Sequence, residues 1–391
     1  MLENKLIICD SNIPWHHNRY SKHHLMSQLA RTNDVVFVDP AEDWIDYRRR
    51  PPEHRGTLGN RCWQPPGEAL RVFTPLSVPG RRRLGFLQRW DEPNYVRQLR
   101  GVIGRYPGRE LVLFIGNPWH VFLLEAFPDA AGVVYHCSDN FPALFEGDFR
   151  RRLEEREWQL IARADLVVCS HPTLVDKCRQ YSDRVHYLEH AVDERFFRPA
   201  EQVACPFDLA VGRPPRVGLV GTLDAGIDYD LLREAAQATP EASWALIGPV
   251  AEPQAQTVAQ LAELPNVRYL GPRPWEQLPE YLWGLQVGVI PYRRSELSQA
   301  RCPLKLYEYL AAGLTVVGHG LTTPGLLEAY VRQAETETEF VGLVQEAVFL
   351  HAERSAGRAD QVELLSTKFT WKARAGELAS LMEGALAGSP S

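Results

Sequence analysis

The sequence lacks the long apolar runs that membrane-spanning proteins need. No stretch of its 391 residues reaches the roughly 18–20 consecutive apolar residues of a transmembrane helix. The N-terminus, MLENKLIICD, carries an early acidic residue and a short apolar run, Leu6–Cys9, which predicts a first strand and not a signal peptide. We therefore expect a cytoplasmic protein that is at most peripheral, on the inner face of the membrane.

Several motifs of metal and cofactor chemistry are also missing. The seven cysteines are odd in number and show neither CxxC nor a Cys/His ligand spacing, which fits reduced thiols better than a disulfide framework. GxGxxG, a Walker loop and HExxH do not occur, which disfavours a dehydrogenase, an NTPase and a zinc hydrolase. We expect neither a bound metal nor a cofactor.

What is present is the composition of a globular chain, with 45% apolar and 24% charged residues. Short apolar runs alternate with amphipathic segments along most of its length, which predicts doubly wound α/β domains. The expected organisation is a first domain at 1–197, a second at 210–370 after a proline-containing linker, and a final helix at 371–391. The first domain includes an excursion at 41–92 that is rich in Pro, Gly and Arg.

Basic charge is concentrated around this excursion. Residues 48–109 hold 14 basic and 4 acidic residues, with Arg48–Arg50 and Arg81–Arg83 leading the excess. The same region carries Trp44, Trp63, Phe86 and Trp90. Because no nucleic-acid motif accompanies them, we expect reversible contact with an anionic membrane or with a phosphorylated acceptor. A solvated, arginine-rich loop is the alternative.

The most informative stretch runs from Leu297 to Gly320, LSQARCPLKLYEYLAAGLTVVGHG. Pro303 suits the first position of a helix, Gly313 suits its end, and Leu314 to Val317 reads as a buried strand. Lys305 and Glu308 are three residues apart and share one face of this predicted helix. A helix N-terminus with a cation and a carboxylate would suit a diphosphate and a ribose diol. The alternative is an ordinary surface pair.

The segment PLKLYEYLAAGLTVV resembles the donor site of the group 1 glycosyltransferases, a retaining, two-domain class with the GT-B fold. The resemblance implies two Rossmann-like domains facing a central cleft, with a last helix that crosses back to the first domain. It also implies that Glu308 binds the donor's ribose and that a basic residue, Lys305, meets the diphosphate. The turns that end the neighbouring strands resemble the family's nucleobase and diphosphate loops. The donor-binding set is therefore Gly221, Thr222, Gly248, Arg273, Leu304, Lys305 and Glu308.

Two other regions are candidates for the acceptor side. The loop DSNIPWHHNRY leaves the carboxyl end of the first strand, where ligands bind in open α/β sheets, so we expect acceptor contacts from Trp15, His16 and His17. Their spacing matches no zinc pattern. The segment GVVYHCSDNF places His136 and Asp139 beyond another strand, where they would orient or deprotonate the acceptor hydroxyl. Such residues are as often turn formers.

The sequence departs from the family pattern in two places. Group 1 enzymes carry E-x7-E, but Ala300 stands where the first Glu would be, and Glu296 is too far upstream to replace it. Asp224, Gly226 and Asp228 stand where the family tends to carry an Arg and a Lys, so Arg273 or Arg301 would have to assist Lys305. Asp228-Tyr229-Asp230 spells a DxD metal motif, but a helix cap is the preferred interpretation of Asp228.

Together these features predict a glycosyltransferase that moves a sugar from a nucleoside-diphosphate-sugar to a polysaccharide, lipid-linked or other acceptor. We expect the reaction to be independent of metal and, by the resemblance, to retain configuration. One alternative is a non-hydrolysing nucleotide-sugar epimerase of the same fold. The other is a non-catalytic sugar-nucleotide-binding partner in polysaccharide assembly.

Overall fold

The chain forms two α/β units, each built on its own sheet. The computed structural model describes residues 2–16, 19–57, 61–78, 90–199, 203–323, 325–350 and 358–388. Contacts group residues 1–189 with 372–391 as unit 1, and residues 190–371 as unit 2. The predicted bounds, 1–197 and 210–370, placed the division later in the chain. Within the described residues, no helix is both long and apolar enough to cross a membrane.

Unit 1 contains an eight-stranded sheet whose inner strands are buried apolar segments, as expected when helices cover both faces. The strands are β1 (Lys5–Asp10), β2 (Asp34–Val38), β3 (Cys62–Trp63), β4 (Arg71–Phe73), β5 (Glu110–Ile115), β6 (Gly132–Cys137), β7 (Leu166–Cys169) and β8 (Val185–Tyr187). Their order is β3-β4-β2-β1-β5-β6-β7-β8. The pairing is parallel except between β3 and β4 at one edge.

Helices connect these strands, as the predicted alternation requires. They are α1 (Ser21–Leu29), α2 (Trp44–Arg49), α3 (Asp91–Ile103), α4 (Leu123–Ala126), α5 (Gly147–Arg163) and α6 (Pro172–Arg179). Short 3₁₀ turns occur at Pro52–His54, Pro118–His120 and Phe141–Leu144. The last helix of the chain, Trp371–Gly388, lies mostly in unit 1, where Leu386 occupies the space that a side chain at Gly132 would need.

Unit 2 contains a six-stranded parallel sheet in the order β11-β10-β9-β12-β13-β14. The strands are β9 (Arg216–Val220), β10 (Ser243–Ile247), β11 (Val267–Gly271), β12 (Val287–Pro291), β13 (Thr315–His319) and β14 (Val331–Ala334). The helices are α7 (Phe207–Ala210), α8 (Tyr229–Ala238), α9 (Ala255–Leu261), α10 (Leu278–Gly284), α11 (Glu296–Gln299), α12 (Leu304–Ala311), α13 (Glu337–Phe349) and α14 (Arg358–Lys368), and Trp371–Gly388 is α15. Turns of 3₁₀ helix lie at Glu194–Phe196, Glu252–Gln254, Trp275–Gln277 and Gly325–Tyr330. The prediction of two doubly wound α/β domains is confirmed.

One segment of unit 1 departs from its sequence pattern. The pattern of residues 118–127 predicts a single helix, but the chain forms the 3₁₀ turn Pro118–His120 and then the short α4. The Asn117 side chain accepts the N–H of Trp119 and closes the turn. The rings of His120 and Phe122 then pack against Tyr95 of α3, at centroid distances of 4.8 and 5.9 Å. These tertiary contacts override the helical pattern of the sequence.

A tyrosine fixes α12 against the centre of the unit 2 sheet. Strands β9 and β12 pair at Val217–Val287 and Gly218–Gly288 and then separate. The Tyr309 hydroxyl accepts the N–H of Val220 at 2.7 Å and lies 3.4 Å from its carbonyl, so it replaces the pairing that ends there. A Cβ on Gly288 would lie 2.3 Å from the Tyr309 ring, which explains the glycine. The helix that carries Lys305 is therefore held by a buried hydrogen bond.

We expect Tyr309→Phe to destabilise the protein by about 1–3 kcal/mol, because it leaves a buried backbone N–H without its partner and opens no large cavity. Urea unfolding measures the change. Tyr330→Phe is the matched control, since the Tyr330 hydroxyl makes no hydrogen bond among the described residues, and it should stay within about 0.5 kcal/mol. Equal stability of the two variants would show that Tyr309 contributes only its ring.

Candidate functional site

The unit 2 sheet has a topological switch point at β9. The chain enters the sheet at this strand, continues to β10 and β11 on one side, and later adds β12, β13 and β14 on the other. The loops that leave β9 and β12 therefore diverge at the carboxyl edge of the sheet. Open α/β sheets bind their ligands in the crevice that such a divergence creates. The candidate site is therefore built at the ends of β9 and β12.

Two glycines shape the floor of this crevice. Gly221, at the end of β9, and Gly248, at the end of β10, have φ angles of +123° and +143°. A Cβ on Gly248 would lie 2.0 Å from the Gly221 carbonyl oxygen, so the two turns touch closely. The Gly221 N–H donates to the Ile247 carbonyl, so it is not available to a phosphate of the donor. The Thr222 N–H makes no hydrogen bond within the described residues, and its contact with the donor stays a prediction.

Two cations lie at the same turn. The Lys305 Nζ would be 3.0 Å from a Cβ built on Gly221, and it lies 5.8 Å from the centre of the Tyr292 ring. The Arg301 guanidinium lies 5.6 Å from the same ring and 3.8 Å from an Asp224 carboxylate oxygen. Tyr292 directly follows β12, and its position after a buried strand was a signal that the sequence interpretation did not use.

The helix that carries Lys305 begins one residue later than predicted. Pro303 is the N-cap in extended conformation, and α12 starts at Leu304, which is half-buried. The missing N–H of Pro303 is harmless there, because an N-cap contributes its carbonyl, which accepts from Leu306 at 3.0 Å. The positive end of the helix dipole thus lies beside the Lys305 ammonium, and both favour an anion.

Glu308 lies one turn further along α12 and is half-buried. Burial raises the pKa of its carboxyl to about 7, against the opposing effect of Lys305 and with a smaller contribution from Asp193. A group with this pKa changes charge near neutral pH. Hydroxyl groups that donate to the carboxylate would favour its ionised form.

Arg273, which was also predicted to bind the sugar donor, contacts other residues of unit 2. It follows β11, the edge strand, and its guanidinium forms an ion pair with Asp208 and donates to the Tyr281 hydroxyl at 2.6 Å. These hydrogen bonds raise its pKa. The structure therefore brings Arg301, and not Arg273, to Lys305.

The residue at the position of the missing first glutamate is buried. Ala300 follows α11 and is buried, while its neighbour Gln299 lines a cavity of about 540 Å³. This cavity follows the carboxyl ends of β12, β13 and β14 and is also lined by Arg294 and by the residues 320–323. Gln299, the neighbour of the position where the family pattern would place a carboxylate, borders this cavity.

The helix-cap interpretation of Asp228 is confirmed. Its carboxylate accepts the Leu231 N–H at 3.1 Å at the start of α8. Asp230 is the second residue of that helix, and its carboxylate lies 3.8 Å from the Arg293 guanidinium. The DxD spelling here reflects the start of a helix.

The predicted acceptor residues of the first loop lie in different environments. Trp15 is buried. Its backbone N–H donates to the Asp39 carboxylate at 2.8 Å, and its ring packs against the Phe37 ring with centroids 5.0 Å apart. His16 is half-buried and stacks on His54 at 5.6 Å. His17 lies outside the described residues. Their acceptor roles stay predictions, although the burial of Trp15 leaves little of its ring to contact a ligand.

The two predicted catalytic residues lie at the end of β6, and His136 is within the strand and not beyond it as expected. His136 is buried in the strand, with its ring 5.4 Å from Phe114. Asp139 is half-buried and accepts the N–H of Asn140 at 2.9 Å, which is the hydrogen bond of a turn former. The catalytic roles of both residues also stay predictions.

Three cysteines meet in unit 1, which the sequence spacing did not reveal. The sulfur atoms of Cys137, Cys169 and Cys178 all lie within 4.8 Å of one another, although the residues come from β6, β7 and α6. Cys137 also lies 3.9 Å from the buried carboxylate of Glu157, which pairs with the Lys177 ammonium at 2.6 Å. An ammonium this close opposes a metal cation, so the cluster is better suited to packing than to ligation.

The comparisons with known proteins agree with this geometry. Residues 214–348 match the family model described as glycosyl transferases group 1. TuaH of Bacillus subtilis (strain 168), whose name assigns it to teichuronic acid biosynthesis as a glycosyltransferase, is 32% identical over 338 residues. The alignment covers 80% of this chain and 80% of TuaH.

Solved structures show the same fold at lower identity. Sucrose-phosphate synthase from Thermosynechococcus elongatus superimposes with a TM-score of 0.76 at 15% identity, over 99% of this chain and 100% of that one. HepE of Anabaena in complex with UDP-glucose gives a TM-score of 0.67 at 14% identity, over 97% and 99% of the two chains. At these identities the likeness is one of fold.

The raised pKa of Glu308 generates a prediction about stability. A carboxyl that binds its proton more tightly in the folded state contributes stability that is lost as pH rises between about 4.5 and 7. Glu308→Gln removes this loss, because the amide does not ionise. The melting temperature of the variant, relative to the unsubstituted protein, should therefore increase from pH 5 to pH 8.

Differential scanning calorimetry across this pH range makes the comparison. Glu280→Gln, an exposed position on α10, is the control, and its difference from the unsubstituted protein should not change with pH. A Glu308→Gln difference that stays constant or falls as pH rises would contradict the prediction.

Proposed function

This chain belongs to the group 1 glycosyltransferases and has the GT-B fold, and from this premise we propose that it transfers a sugar from a nucleoside-diphosphate-sugar to a glycan acceptor in polysaccharide biosynthesis. The name of TuaH supports the biosynthetic context, and the UDP-glucose bound to HepE supports the type of donor. The alternative of an epimerase is disfavoured by the family to which the chain belongs.

One observation carries the donor assignment: the Lys305 ammonium lies over the Gly221 turn, one helical turn from Glu308. The diphosphate would lie against Lys305, the start of α12 and Thr222. Charge develops on the departing diphosphate, so fixed positive groups at this position stabilise the transition state more than the ground state. The ribose hydroxyls would donate to Glu308, which compensates the cost of ionising a partly buried carboxyl.

We propose that neither a metal nor another cofactor is required. Lys305 and Arg301 supply positive charge beside the Gly221 turn, and Asp228 is committed to its helix. In the retaining course that the family resemblance implies, the departing phosphate would take the proton of the acceptor hydroxyl. Turnover of UDP-sugars should therefore persist in EDTA. The alternative of a non-catalytic sugar-nucleotide-binding partner rests on Ala300, which provides no carboxylate. Turnover of UDP-sugars with and without glycan acceptors separates that alternative from this proposal.

The acceptor is proposed to be lipid-linked or phosphorylated. Trp44 and Ile45 of α2 are exposed, and the Arg48 guanidinium covers the Trp44 ring at 4.7 Å. Arginines and indole rings together suit an anionic membrane surface. Arg50 does not contribute, because it is buried in ion pairs with Asp39 and Glu42. Arg81–Arg83 and Phe86, which the sequence interpretation included, lie outside the described residues.

The donor site predicts that Lys305→Ala and Glu308→Ala weaken nucleotide binding with the fold intact. Each removes a charge-assisted contact, worth about 1.5–3 kcal/mol, so the dissociation constant for UDP should rise at least about tenfold. Isothermal titration calorimetry measures it, and circular dichroism checks the fold.

Glu234→Ala and Lys372→Ala remove exposed charges of the same kinds elsewhere, and they should bind UDP as the unsubstituted protein does. If Lys305→Ala and Glu308→Ala also bind UDP normally, the donor site is not at α12. If the unsubstituted protein binds neither UDP nor any other nucleoside diphosphate, the proposed function is wrong.

The membrane proposal predicts reversible binding to anionic vesicles. The protein should co-sediment with phosphatidylglycerol vesicles at low salt, should dissociate as salt increases, and should not bind phosphatidylcholine vesicles. Trp44→Ala should weaken binding, whereas Trp158→Ala, at an indole of matching exposure on α5, should not. Equal recovery in the supernatant with both lipids would exclude this membrane contact.

A further inference from the structure

Three of the seven cysteines converge in unit 1 at the ends of two neighbouring strands. Cys137 and Cys169 are the last residues of β6 and β7, and Cys178 lies on α6, which packs against β7. All three side chains are buried, and their sulfur atoms lie within 4.8 Å of one another. A disulfide needs its sulfur atoms about 2.0 Å apart, and rotation of the side chains about their Cα–Cβ bonds can close a gap of this size.

The sheet disfavours a bond between the two strand cysteines. Cys137 and Cys169 are register partners on adjacent parallel strands, so the ladder holds their Cβ atoms near the strand spacing of about 4.8 Å. In disulfides the Cβ atoms are about 3.8 Å apart. Cys178 comes from a helix and is not held by the ladder. A bond within the cluster therefore includes Cys178.

Cys178 has the chemistry of the attacking sulfur. Hydrogen bonds from the Cys137 and Cys169 thiols lower the pKa of the Cys178 thiol. The charge of Lys177 adds to this effect, and burial opposes it. Because the thiolate is the form of cysteine that peroxides oxidise, Cys178 is the first sulfur of the cluster to react.

The position of Cys178 gives a small oxidant a route to the cluster. It lies in the last turn of α6, next to the exposed Arg179 and Gln180. Helix ends fray, and local opening of this kind needs far less free energy than global unfolding. Transient opening of the helix end therefore exposes the sulfur that reacts first.

Cys137 is the thiol that has a base beside it. Its sulfur lies 3.9 Å from the buried carboxylate of Glu157. Burial raises the pKa of this carboxyl to about 7, and the charge of Lys177, which is 2.6 Å away, opposes the increase. A group with this pKa takes up a proton near neutral pH and releases it again. This favours Cys137 over Cys169 as the partner of Cys178.

We propose that Cys137 and Cys178 form a reversible disulfide when a peroxide oxidises the protein. The Cys178 thiolate attacks one oxygen of hydrogen peroxide, the O–O bond breaks, and the leaving hydroxide takes up the proton that the thiol had released. Glu157 then takes the proton of the Cys137 thiol, whose sulfur attacks the sulfenic sulfur. The S–O bond breaks, and the second hydroxide takes up the proton held by Glu157. Two thiols and one peroxide thus give one disulfide and two waters. This chemistry is separate from sugar transfer and does not depend on it.

The disulfide restrains the loop that follows β6. Cys137 precedes this loop, and Lys177 on α6 donates to the Asn140 side chain at 2.9 Å. Oxidation therefore ties both ends of residues 138–140 to α6. Because Asp139 is in this loop, its mobility depends on the oxidation state of the cluster.

Tryptic mapping without reduction tests the pairing. Trypsin separates the three cysteines, with Cys137 in peptide 110–150, Cys169 in peptide 164–177 and Cys178 in peptide 178–179. After treatment with hydrogen peroxide, the unsubstituted protein should give 110–150 joined to 178–179, and dithiothreitol should separate them. Cys169→Ala removes an equally buried thiol of the cluster and should give the same link, whereas Cys178→Ala should not. Absence of the link in the unsubstituted protein, a link through Cys169, or equal results for the two variants would overturn the proposal.

Cys137→Ala tests which sulfur the peroxide oxidises. Without its partner thiol, Cys178 should stop at the sulfenic acid, which dimedone labels. The label should lie on peptide 178–179, and circular dichroism checks that the variant is folded. A label on Cys169 and none on Cys178 would contradict the assigned order of the two steps.

Hydrogen exchange tests the restraint on the loop. Peptides that cover residues 138–146 should exchange more slowly after peroxide treatment of the unsubstituted protein, and Cys178→Ala should show no such change. Unaltered exchange in a protein that contains the disulfide would overturn the restraint. Neither the mapping nor the exchange experiment uses a sugar nucleotide, so a failure here leaves the proposed function intact.

Discussion

The hydrogen bond between Tyr309 and Val220 is the constraint on which the site in unit 2 depends. Strands β9 and β12 pair over two residues and then separate, and a separation inside a sheet leaves backbone groups without partners. The Tyr309 hydroxyl satisfies them, and its ring fills the space that Gly288 leaves. Because Tyr309 is on α12, the same contact sets the position of the helix N-terminus at the crevice. One side chain thus bridges the gap between two strands and holds the helix that carries Lys305.

Lys305 and Glu308 have requirements that a nucleotide can meet together. Burial raises the pKa of Glu308, whereas the Lys305 charge lowers it. The lysine therefore stabilises the ionised carboxylate. A phosphate at Lys305 would offset that charge and make ionisation of Glu308 less favourable. Ribose hydroxyls donating to Glu308 would reverse the effect. A ligand with both a diphosphate and a diol therefore satisfies the pair, whereas pyrophosphate alone would leave Glu308 protonated more often.

Much of the fold was predictable because it depends on local patterns. The alternation of strands and helices, the helix at 304–311 and the Asp228 cap all follow from periodicity and capping residues. The short elements were missed: β3 has two residues, and β14, VRQA, lacks an apolar pattern. Helix α2 was also missed, although Asp43 caps it by accepting two backbone N–H groups, which was a signal in the sequence.

The site was less predictable, because sheet order decides which strand ends meet. Polar residues occur at the ends of most strands. The sequence could therefore not distinguish Asp10 and His120, which come together, from His136 and Asp139, which lie at the end of a strand away from β1, the switch point of unit 1. Arg273 was included for its place after a strand, but that strand is at the edge of the sheet. Sequence periodicity predicts where a strand ends. Which other strand ends lie beside it depends on the order of the strands in the sheet.

The two switch points differ in charge, and this difference suits two kinds of ligand. In unit 2, Lys305 and Arg301 lie at the crevice although residues 201–391 carry 15 basic against 23 acidic residues, so the positive charge there is local. In unit 1, the crevice holds the buried Asp10 carboxylate and the His120 imidazole near the stacked rings of Trp119 and Phe149. A diphosphate is attracted by the first arrangement and repelled by the Asp10 carboxylate of the second. A neutral sugar gains little from cations and more from stacking and directed hydrogen bonds. The charge at each crevice therefore favours a different class of ligand.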